Sequence, residues 1–304
     1  MTTASHAQGN LRSIVSMLLA VMFFAFMDAV LKTLSPHYPP LQIACLRGLT
    51  ALPLVLAYVH WRGAWHKLRR LRWSLHILRG VLGITMLALF TRGVGELPLS
   101  AAYTLFFIAP LLITALSVPV LGERVPRAHW WAIAAGFVGV VVALRPSGAD
   151  LQAGFASPGG LAILGAALCY AVTAVAGRLL SRSDSLESLI LTMMVFIGVG
   201  AGLLAAPQWV PVSASHAWLL LALAVTGFLG QLAINDAFRH GQASAVAPFE
   251  YTALAWGVGL DWLLWQTLPD ASTWYGAAII VGSGLYIVRR EKRISEAHAT
   301  AEHP

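Results

Sequence analysis

Charged side chains are scarce in this sequence: only 11% of its 304 residues are Asp, Glu, Lys or Arg, whereas 58% are hydrophobic. A soluble domain of ordinary composition carries about a quarter charged residues. The composition therefore argues against a water-soluble enzyme and against a nucleic-acid-binding protein, although the net charge is +7. Together with a mean hydropathy of +0.72, it indicates an all-α integral membrane protein.

Cysteine and catalytic motifs are equally scarce. The two cysteines, Cys45 and Cys169, lie inside apolar stretches, which excludes a structural disulfide framework. The sequence has no Walker A motif, no His-Glu-x-x-His pattern and no Gly-x-Ser-x-Gly elbow. We therefore expect no ATP-driven pump, no catalytic residue, no metal and no cofactor.

Apolar stretches long enough to cross a bilayer, about 20 residues each, occur ten times along the chain. Prolines and short basic links separate them, because proline cannot extend a helix through its missing N–H. Neighbouring spans should run antiparallel, since the links are short. The ten predicted spans cover residues 13–34, 41–61, 74–94, 98–120, 127–145, 159–180, 186–206, 216–238, 243–265 and 271–289.

Lys and Arg are distributed unequally between the two sides of these spans. With the N-terminus in the cytoplasm, 15 of the 20 basic residues fall on the cytoplasmic side, 3 on the opposite side and 2 inside spans. Positively charged loops stay on the cytoplasmic side of a membrane. The sequence thus predicts a multi-pass protein of the cell inner membrane with both termini in the cytoplasm, and it explains the positive charge without nucleic acid as a partner.

The two halves of the chain resemble each other. The matching pairs include Pro126–Pro269, Trp131–Trp274 and Gly139–Gly282 at a shift of 143 residues, and Lys32–Arg178 at a shift of 146. Each half holds five spans, an odd number, so the second copy enters the membrane upside down. Inverted repeats of this kind are the architecture of many secondary transporters.

Motifs between Leu97 and Pro146 carry a family resemblance. They are Pro98-Leu99-Ser100-Ala101-Ala102, Ala109-Pro110, Leu121-Gly122-Glu123-Arg124 and Gly136-Phe137-Val138-Gly139-Val140. This segment resembles the EamA domain of the drug/metabolite transporter superfamily. Residues 240–291 resemble a second EamA domain, in which Trp265-Gln266-Thr267 replaces the Gly-Glu-Arg turn.

The resemblance implies ten transmembrane helices in two inverted five-helix repeats, which we place at residues 11–146 and 158–291, with a cytoplasmic tail at 292–304. It also implies that spans 1–4 and 6–9 surround a central cavity. The family transports amino acids, nucleosides, vitamins, S-adenosylmethionine, amines and other metabolites. We therefore expect a secondary active transporter of one small metabolite of these classes, working by alternating access across the inner membrane.

Two alternatives stay open at this stage. An intramembrane enzyme acting on a lipid would need convergent nucleophile, base or metal residues, and a channel or sensor would need none of these. The expected partners of the chain are the lipid bilayer and a small-molecule substrate, with proton coupling as an option. Small residues spaced four apart in spans 5 and 10 favour close helix packing or a homodimer.

Ionisable residues inside apolar spans are the first candidates for the substrate site, because a charge in hydrocarbon costs about 2.5–3.5 kcal/mol on insertion scales. Asp28 in span 1 and Arg47 in span 2 lie at matching depths, which predicts an ion pair between them. Lys32 lies one turn after Asp28 and would compete for its carboxylate. Nearer the outer ends of spans 9 and 3, Asp261 and Arg92 are a candidate gate pair.

Glu250 is the sharpest candidate, because it follows Pro248 inside span 9 and Pro248 should free a backbone carbonyl and form a kink. Arg79 in span 3 lies at a similar depth, so a structural Glu250–Arg79 pair is the competing interpretation. The repeat places the apolar Phe107 opposite Glu250, so the fold itself does not require an acid there. We expect Glu250 to bind a substrate cation or to carry a coupled proton.

Aromatic and amide side chains near mid-depth complete the predicted cavity. They could hold a planar or cationic metabolite. The predicted lining residues, besides Glu250, Asp28, Arg47 and Arg79, are Phe106, Phe107, Tyr170, Tyr251, Gln231 and Asn235.

Overall fold

The computed structural model describes residues 2–69, 71–121, 127–143, 157–180, 183–240 and 247–301. Within these ranges the chain folds into helices alone. They are α1 Thr2–Leu34, α2 Pro40–Trp61, α3 Trp73–Glu96, α4 Leu99–Phe106, α5 Ala109–Leu121, α6 Arg127–Ala143, α7 Pro158–Leu180, α8 Leu186–Val195, α9 Ala201–Ala205, α10 Ala217–His240, α11 Ala253–Trp265 and α12 Ala271–Ala301.

Seven helical segments of the described residues are long and apolar enough to cross a membrane. They correspond to the predicted spans 1–4 and 6–8, and they confirm a multi-pass membrane protein. They cover Arg12–Leu34, Pro40–Trp61, Trp73–Glu96, Leu99–Val120, Pro158–Gly177, Leu186–Gln208 and Ala214–Ile234. Spans 5, 9 and 10 correspond to α6, α11 and α12, and the total of ten spans stays a prediction.

Prolines set several of the helix starts, as the sequence predicts. Pro39 caps α2, which begins at Pro40, and Pro98 caps α4. Proline suits these positions because the first N–H groups of a helix have no intrahelical acceptor. Helix α11 ends at Trp265, because the next residue, Gln266, has a left-handed φ of 54° and ends the helix.

The packing of the helices reflects the internal repeat, because exchanging the two halves gives the same set of packed pairs. The most extensive contacts join α1 to α10 and α3 to α7, that is, span 1 to span 8 and span 3 to span 6. Exchanging the halves converts the first of these pairs into the second. Spans 2 and 7, 4 and 9, and 5 and 10 also pack in pairs, and each of these pairs maps onto itself.

The small residues spaced four apart in spans 5 and 10 allow close helix packing within the molecule at one position. A side chain added at Gly139 of α6 would collide with Ile280 and with the Gly276 carbonyl of α12. Gly282, in contrast, faces open space. Close packing of α6 on α12 is thus observed, and the homodimer stays a prediction.

Spans 4 and 9 are both irregular at equivalent points. Span 4 is interrupted at Phe107 and Ile108, between α4 and α5, and span 9 begins with a 3-10 segment, Ala247–Thr252. The repeat register of 143 residues aligns Phe107 with Glu250 in that segment. Broken helices at corresponding positions of two repeats are typical of binding sites in secondary transporters.

Side-chain contacts define the two ends of the bundle. We call one end the basic face, and its residues include Arg12, Arg62, Arg72, Asp184 and Asp236. We call the other end the opposite face, and its residues include Lys32, Tyr38, Ser100, His216 and Asp261.

Candidate functional site

Aromatic rings from several spans meet where α4 ends. The Phe106 ring centre lies 5.4 Å from that of Tyr170 in α7 and 5.5 Å from that of Phe90 in α3. Phe107 follows in the turn, and its ring meets that of Tyr251 edge-on at 5.1 Å. The structure thus brings together four of the predicted lining residues. We call Phe90, Phe106, Phe107, Tyr170 and Tyr251 the aromatic cluster.

Glu250 lies beside the aromatic cluster, directly before Tyr251 in the 3-10 segment. Its side chain is partly buried and interacts electrostatically with the hydroxyls of Tyr170 and Tyr251. Among the residues that the structure describes, no cation and no hydrogen-bond donor contacts its carboxylate. An apolar, aromatic setting leaves such a carboxylate without the solvation it would have in water.

The other acidic side chains whose contacts are described all have partners. They are Asp28 with Tyr103, Glu96 with Arg92, Asp184 with His76, Glu187 with Arg62, Asp236 with Arg12, Asp261 with Lys32, and Asp270 with the Thr273 N–H. Glu250 is therefore the exception within this part of the chain.

The predicted Glu250–Arg79 pair is absent from the described contacts. The Nε and Nη1 atoms of Arg79 are buried and have no hydrogen-bond partner there. The physical reason is the direction of the side chain, which packs beside Gly177 of α7. Glu250 and Arg79 therefore do not neutralise each other, and a structural ion pair does not explain the presence of Glu250.

The predicted Asp28–Arg47 ion pair is wrong. Asp28 is buried and accepts a hydrogen bond of 2.8 Å from the Tyr103 hydroxyl of α4. Arg47 interacts with Asp28 only through longer-range electrostatics. Span 4 approaches span 1 at this depth and offers a neutral donor, so the carboxylate is satisfied without direct contact to the guanidinium.

Arg47 instead lines a small pocket between α2, α8 and α10. Gln231, another predicted cavity residue, lies in the same wall. The lining residues are Arg47, Ala51, Val55, Ile190, Met194, Gly227, Phe228 and Gln231. The side chain of Asn235, one turn beyond Gln231, lies outside the described residues.

Lys32 and Asp261 form a pair that the sequence analysis assigned differently. The Lys32 Nζ atom lies 3.2 Å from Asp261 Oδ1 and 4.4 Å from the centre of the Trp265 ring. The prediction that Lys32 competes for Asp28 is therefore wrong. The predicted Asp261–Arg92 gate pair is also wrong, because Arg92 points along its own helix to Glu96 at 3.3 Å.

Asp261 also caps helix α4. Its carboxylate accepts from the backbone N–H groups of Leu99 at 2.9 Å and Ser100 at 2.8 Å, and from the Ser100 hydroxyl at 2.8 Å. The first N–H groups of a helix need acceptors, and a negative charge there is favoured by the helix dipole. Asp261 thus ties span 9 to the start of span 4.

Phe90 and Tyr103 are site neighbours that the sequence did not lead us to predict. The signal was available, because Tyr103 precedes Phe106 by three residues and Phe107 by four. Residues three and four apart share one face of a helix. The same argument that selected Phe106 and Phe107 would have placed Tyr103 beside them and in reach of Asp28.

Comparison with known proteins adds the family. The model of the EamA-like transporter family matches the chain twice, at residues 11–145 and 157–289. A riboflavin transporter of Vibrio cholerae is 30% identical, with 92% of this chain and 93% of that protein covered. A pseudopaline exporter, CntI, of Pseudomonas aeruginosa is 28% identical over 90% of this chain and 95% of its own length.

An S-adenosylmethionine uptake transporter of Rickettsia conorii is 27% identical, with 91% of this chain and 92% of that protein covered. A solved structure described only as a crystal structure of a protein superposes with a TM-score of 0.65 at 21% identity, and it covers 91% of this chain. That likeness supports the fold alone. The two matched halves, the relatives and the apolar helices agree: the chain belongs to the EamA-like transporter family of the drug/metabolite transporter superfamily and is a transporter of small metabolites.

Proposed function

We propose that the protein carries a metabolite with a positively charged group and a flat or apolar body. The substrate binds between the two halves, with its cation at Glu250 and its body against the aromatic cluster. The observation that supports this most is the Glu250 carboxylate, which lacks a partner among the described residues although it lies among aromatic rings.

A cation would satisfy this site in two ways. It would neutralise the carboxylate, whose isolation in an apolar setting is unfavourable. It would also lie near the rings of Tyr170 and Tyr251, and aromatic rings attract cations through the ring quadrupole. S-adenosylmethionine, the compound named for some relatives, carries a sulfonium charge and a flat adenine, so it is the natural first probe.

A proton can take the place of the substrate cation at Glu250. In an apolar cavity the empty site needs the acid neutral or paired, so binding of a cationic substrate would release a proton. We propose proton-coupled exchange on this basis, with alternating access of the two halves as the mechanism. Catalysis is not part of the proposal, because neither the described site nor the sequence supplies a nucleophile with its base.

We also propose that the basic face is cytoplasmic. The contacts that define it involve Arg12, Arg62 and Arg72, each with a different acidic residue, in agreement with the unequal Lys and Arg distribution. Both termini would then be cytoplasmic in the inner membrane. Reporter fusions at His37, in the α1–α2 link, and at the C-terminus test this orientation, and an external C-terminus would contradict it.

Purified protein and proteoliposomes test the substrate class. Thermal stability is measured with S-adenosylmethionine, lysine and spermidine as cationic probes and with riboflavin as a neutral one. We expect a cationic probe to raise Tm and to show saturable counterflow, and the E250Q variant to lose both effects. Binding of riboflavin alone, or cation binding unchanged in E250Q, would overturn the cationic assignment. Conductance would indicate a channel, and a new product an enzyme.

A further inference from the structure

Among the contacts that join the two halves at the ends of the molecule, one at each end pairs a histidine with a residue of a helix link. On the opposite face, the Tyr38 hydroxyl lies 2.7 Å from Nδ1 of His216 and accepts from the Ser213 N–H at 3.0 Å. On the basic face, Asp184 Oδ2 lies 2.8 Å from Nε2 of His76 and accepts from the Arg72 N–H at 3.2 Å.

The two contacts lie at related places in the repeat. Tyr38 and Asp184 are 146 residues apart, the same shift that aligns Lys32 with Arg178, and each lies two residues before a helix, α2 or α8. Their partner histidines are 140 residues apart and so do not align with each other, but both lie near a helix start: His216 directly precedes α10, and His76 lies in the first turn of α3. Each contact also joins one half of the chain to the other.

We propose that Tyr38–His216 and Asp184–His76 are matched latches, one at each face, and that each must break for its own face to open. We call them the opposite-face latch and the basic-face latch. This inference rests on the alternating access proposed above. In inverted-repeat transporters the two halves move against each other around a fixed site, and these two contacts cross the boundary between the halves.

The two latches differ in charge. Tyr38 already accepts from the Ser213 N–H, so its own hydroxyl hydrogen is free to point at Nδ1 of His216. His76 lies between Asp184 and Thr192, whose hydroxyl is 2.8 Å from Nδ1 and 2.7 Å from the Ser188 carbonyl. The basic-face latch therefore contains the carboxylate of Asp184, whereas the described contacts of the opposite-face latch include no acidic side chain.

The surroundings of the two latches differ as well. On the basic face, Arg62 and Glu187 form a further pair at 3.9 Å between the two halves. On the opposite face, the ring centre of His37 lies 4.7 Å from that of His216.

Cysteine labelling tests the proposal without a known substrate. A single reporter cysteine, Q231C, is placed in the pocket of a protein lacking the natural thiols (C45A, C169A). A membrane-impermeant maleimide is then applied from either side, in right-side-out and inverted vesicles. We expect Y38F to raise labelling from the opposite face about fivefold, the population change of one ordinary hydrogen bond, and D184N to raise it from the basic face.

The matched controls are Y275F and E96Q, whose side chains are exposed and lie outside both latches. If D184N does not give monodisperse protein, T192V is used in its place, because it removes the other hydrogen-bond partner of His76. Labelling that moves in the same direction for both variants, or in neither, would overturn the proposal. A failed cation assay would leave these labelling results unchanged, so the two proposals fail separately.

Discussion

Span 9 carries two acidic side chains in opposite situations. Asp261 at one end is fully buried and binds Lys32, two backbone N–H groups and the Ser100 hydroxyl. Glu250, near the other end, has no described partner and lies among aromatic rings. The comparison separates an acid that the fold uses from an acid that the fold leaves free.

The repeat sharpens this difference. Phe107 occupies the position of Glu250 in the first half, and both lie where a span is irregular. The irregular backbone is therefore common to both halves, whereas the acid is specific to the second. We infer that the irregular backbone is a feature of the fold and that the carboxylate of Glu250 serves substrate binding.

The largest effect is expected at Asp261. The D261A substitution leaves Lys32 without its partner and removes the cap of α4, and breaking a buried pair costs about 3–5 kcal/mol. The melting temperature and the monodisperse yield of D261A in detergent should fall sharply. The exposed pair Arg92–Glu96 provides the control, since E96Q should change stability by less than about 1 kcal/mol. A D261A protein as stable as E96Q would remove the contrast with Glu250.

At Glu250 we expect loss of transport with preserved folding. E250Q keeps the volume of the side chain and removes its charge. Because no described contact depends on the charge, Tm should match the wild type, while cation binding falls about tenfold or more, as expected for a lost charge-assisted contact. The matched control is F107L at the repeat-equivalent position, which should retain the charge preference. A destabilised E250Q protein with normal transport would reverse the assignment.

A smaller effect is expected at Asp28. Y103F removes the hydroxyl that donates to its buried carboxylate, and an unsatisfied buried acceptor costs about 1–3 kcal/mol. Thermal unfolding of Y103F against Y275F, which changes an exposed tyrosine, measures this. Equal Tm values for the two variants would show that Asp28 does not depend on Tyr103.

Arg79 distinguishes the free-acid account from a structural pair. Its buried Nε and Nη1 atoms have no described partner, so R79M should leave Tm unchanged or raise it. R79M should change the Tm of E250Q by the same amount as it changes the Tm of the wild type. If Glu250 and Arg79 formed a structural pair, E250Q would be destabilised and R79M would restore it, and a double-mutant cycle would detect that coupling.

The smallest effect concerns pH at the basic-face latch. Burial raises the pKa of Asp184, but hydrogen bonds from Ser183, His76 and the Arg72 N–H outweigh it and lower the pKa below its usual range. The stabilisation from Asp184 is therefore present above the ordinary Asp pKa of about 3.9 and is lost as pH falls through the lowered value. The Tm difference between wild type and D184N should persist down to about pH 5 and disappear in stronger acid. A difference lost between about pH 7 and 5 would contradict this.

The sequence was sufficient for the architecture and insufficient for the side-chain pairs. Hydropathy and proline positions predicted most spans, because the length and the ends of a span depend on the local sequence alone. Depth along a span placed Asp28 level with Arg47 and Asp261 near Arg92, but it carried no information on which way each side chain faces. The actual partners lie on other spans: Tyr103 in span 4 contacts Asp28, and Lys32 in span 1 contacts Asp261. Hydropathy along the chain does not reveal which spans pack against each other.

Aromatic residues were predicted more successfully than charged ones. Phe106 packs against Tyr170, and Phe107 packs against Tyr251, because several large rings at one depth in a narrow bundle meet almost regardless of their exact direction; that these rings line a substrate cavity stays a prediction. An ion pair needs both partners to point at each other. For the same reason Tyr103 was recoverable from helical spacing, whereas the capping role of Asp261 was not.

Carbodiimide modification tests the central claim most directly. Dicyclohexylcarbodiimide is apolar and reacts with accessible, protonated carboxyl groups, and peptide mass spectrometry reports the modified residue. The account predicts modification of Glu250 but not of Asp261 in the same span, with S-adenosylmethionine or another cationic probe from the binding screen protecting Glu250 and riboflavin not protecting it. Modification of Asp261 in preference to Glu250, or modification of Glu250 that no cation reduces, would contradict the claim that Glu250 is the free acid of the substrate site.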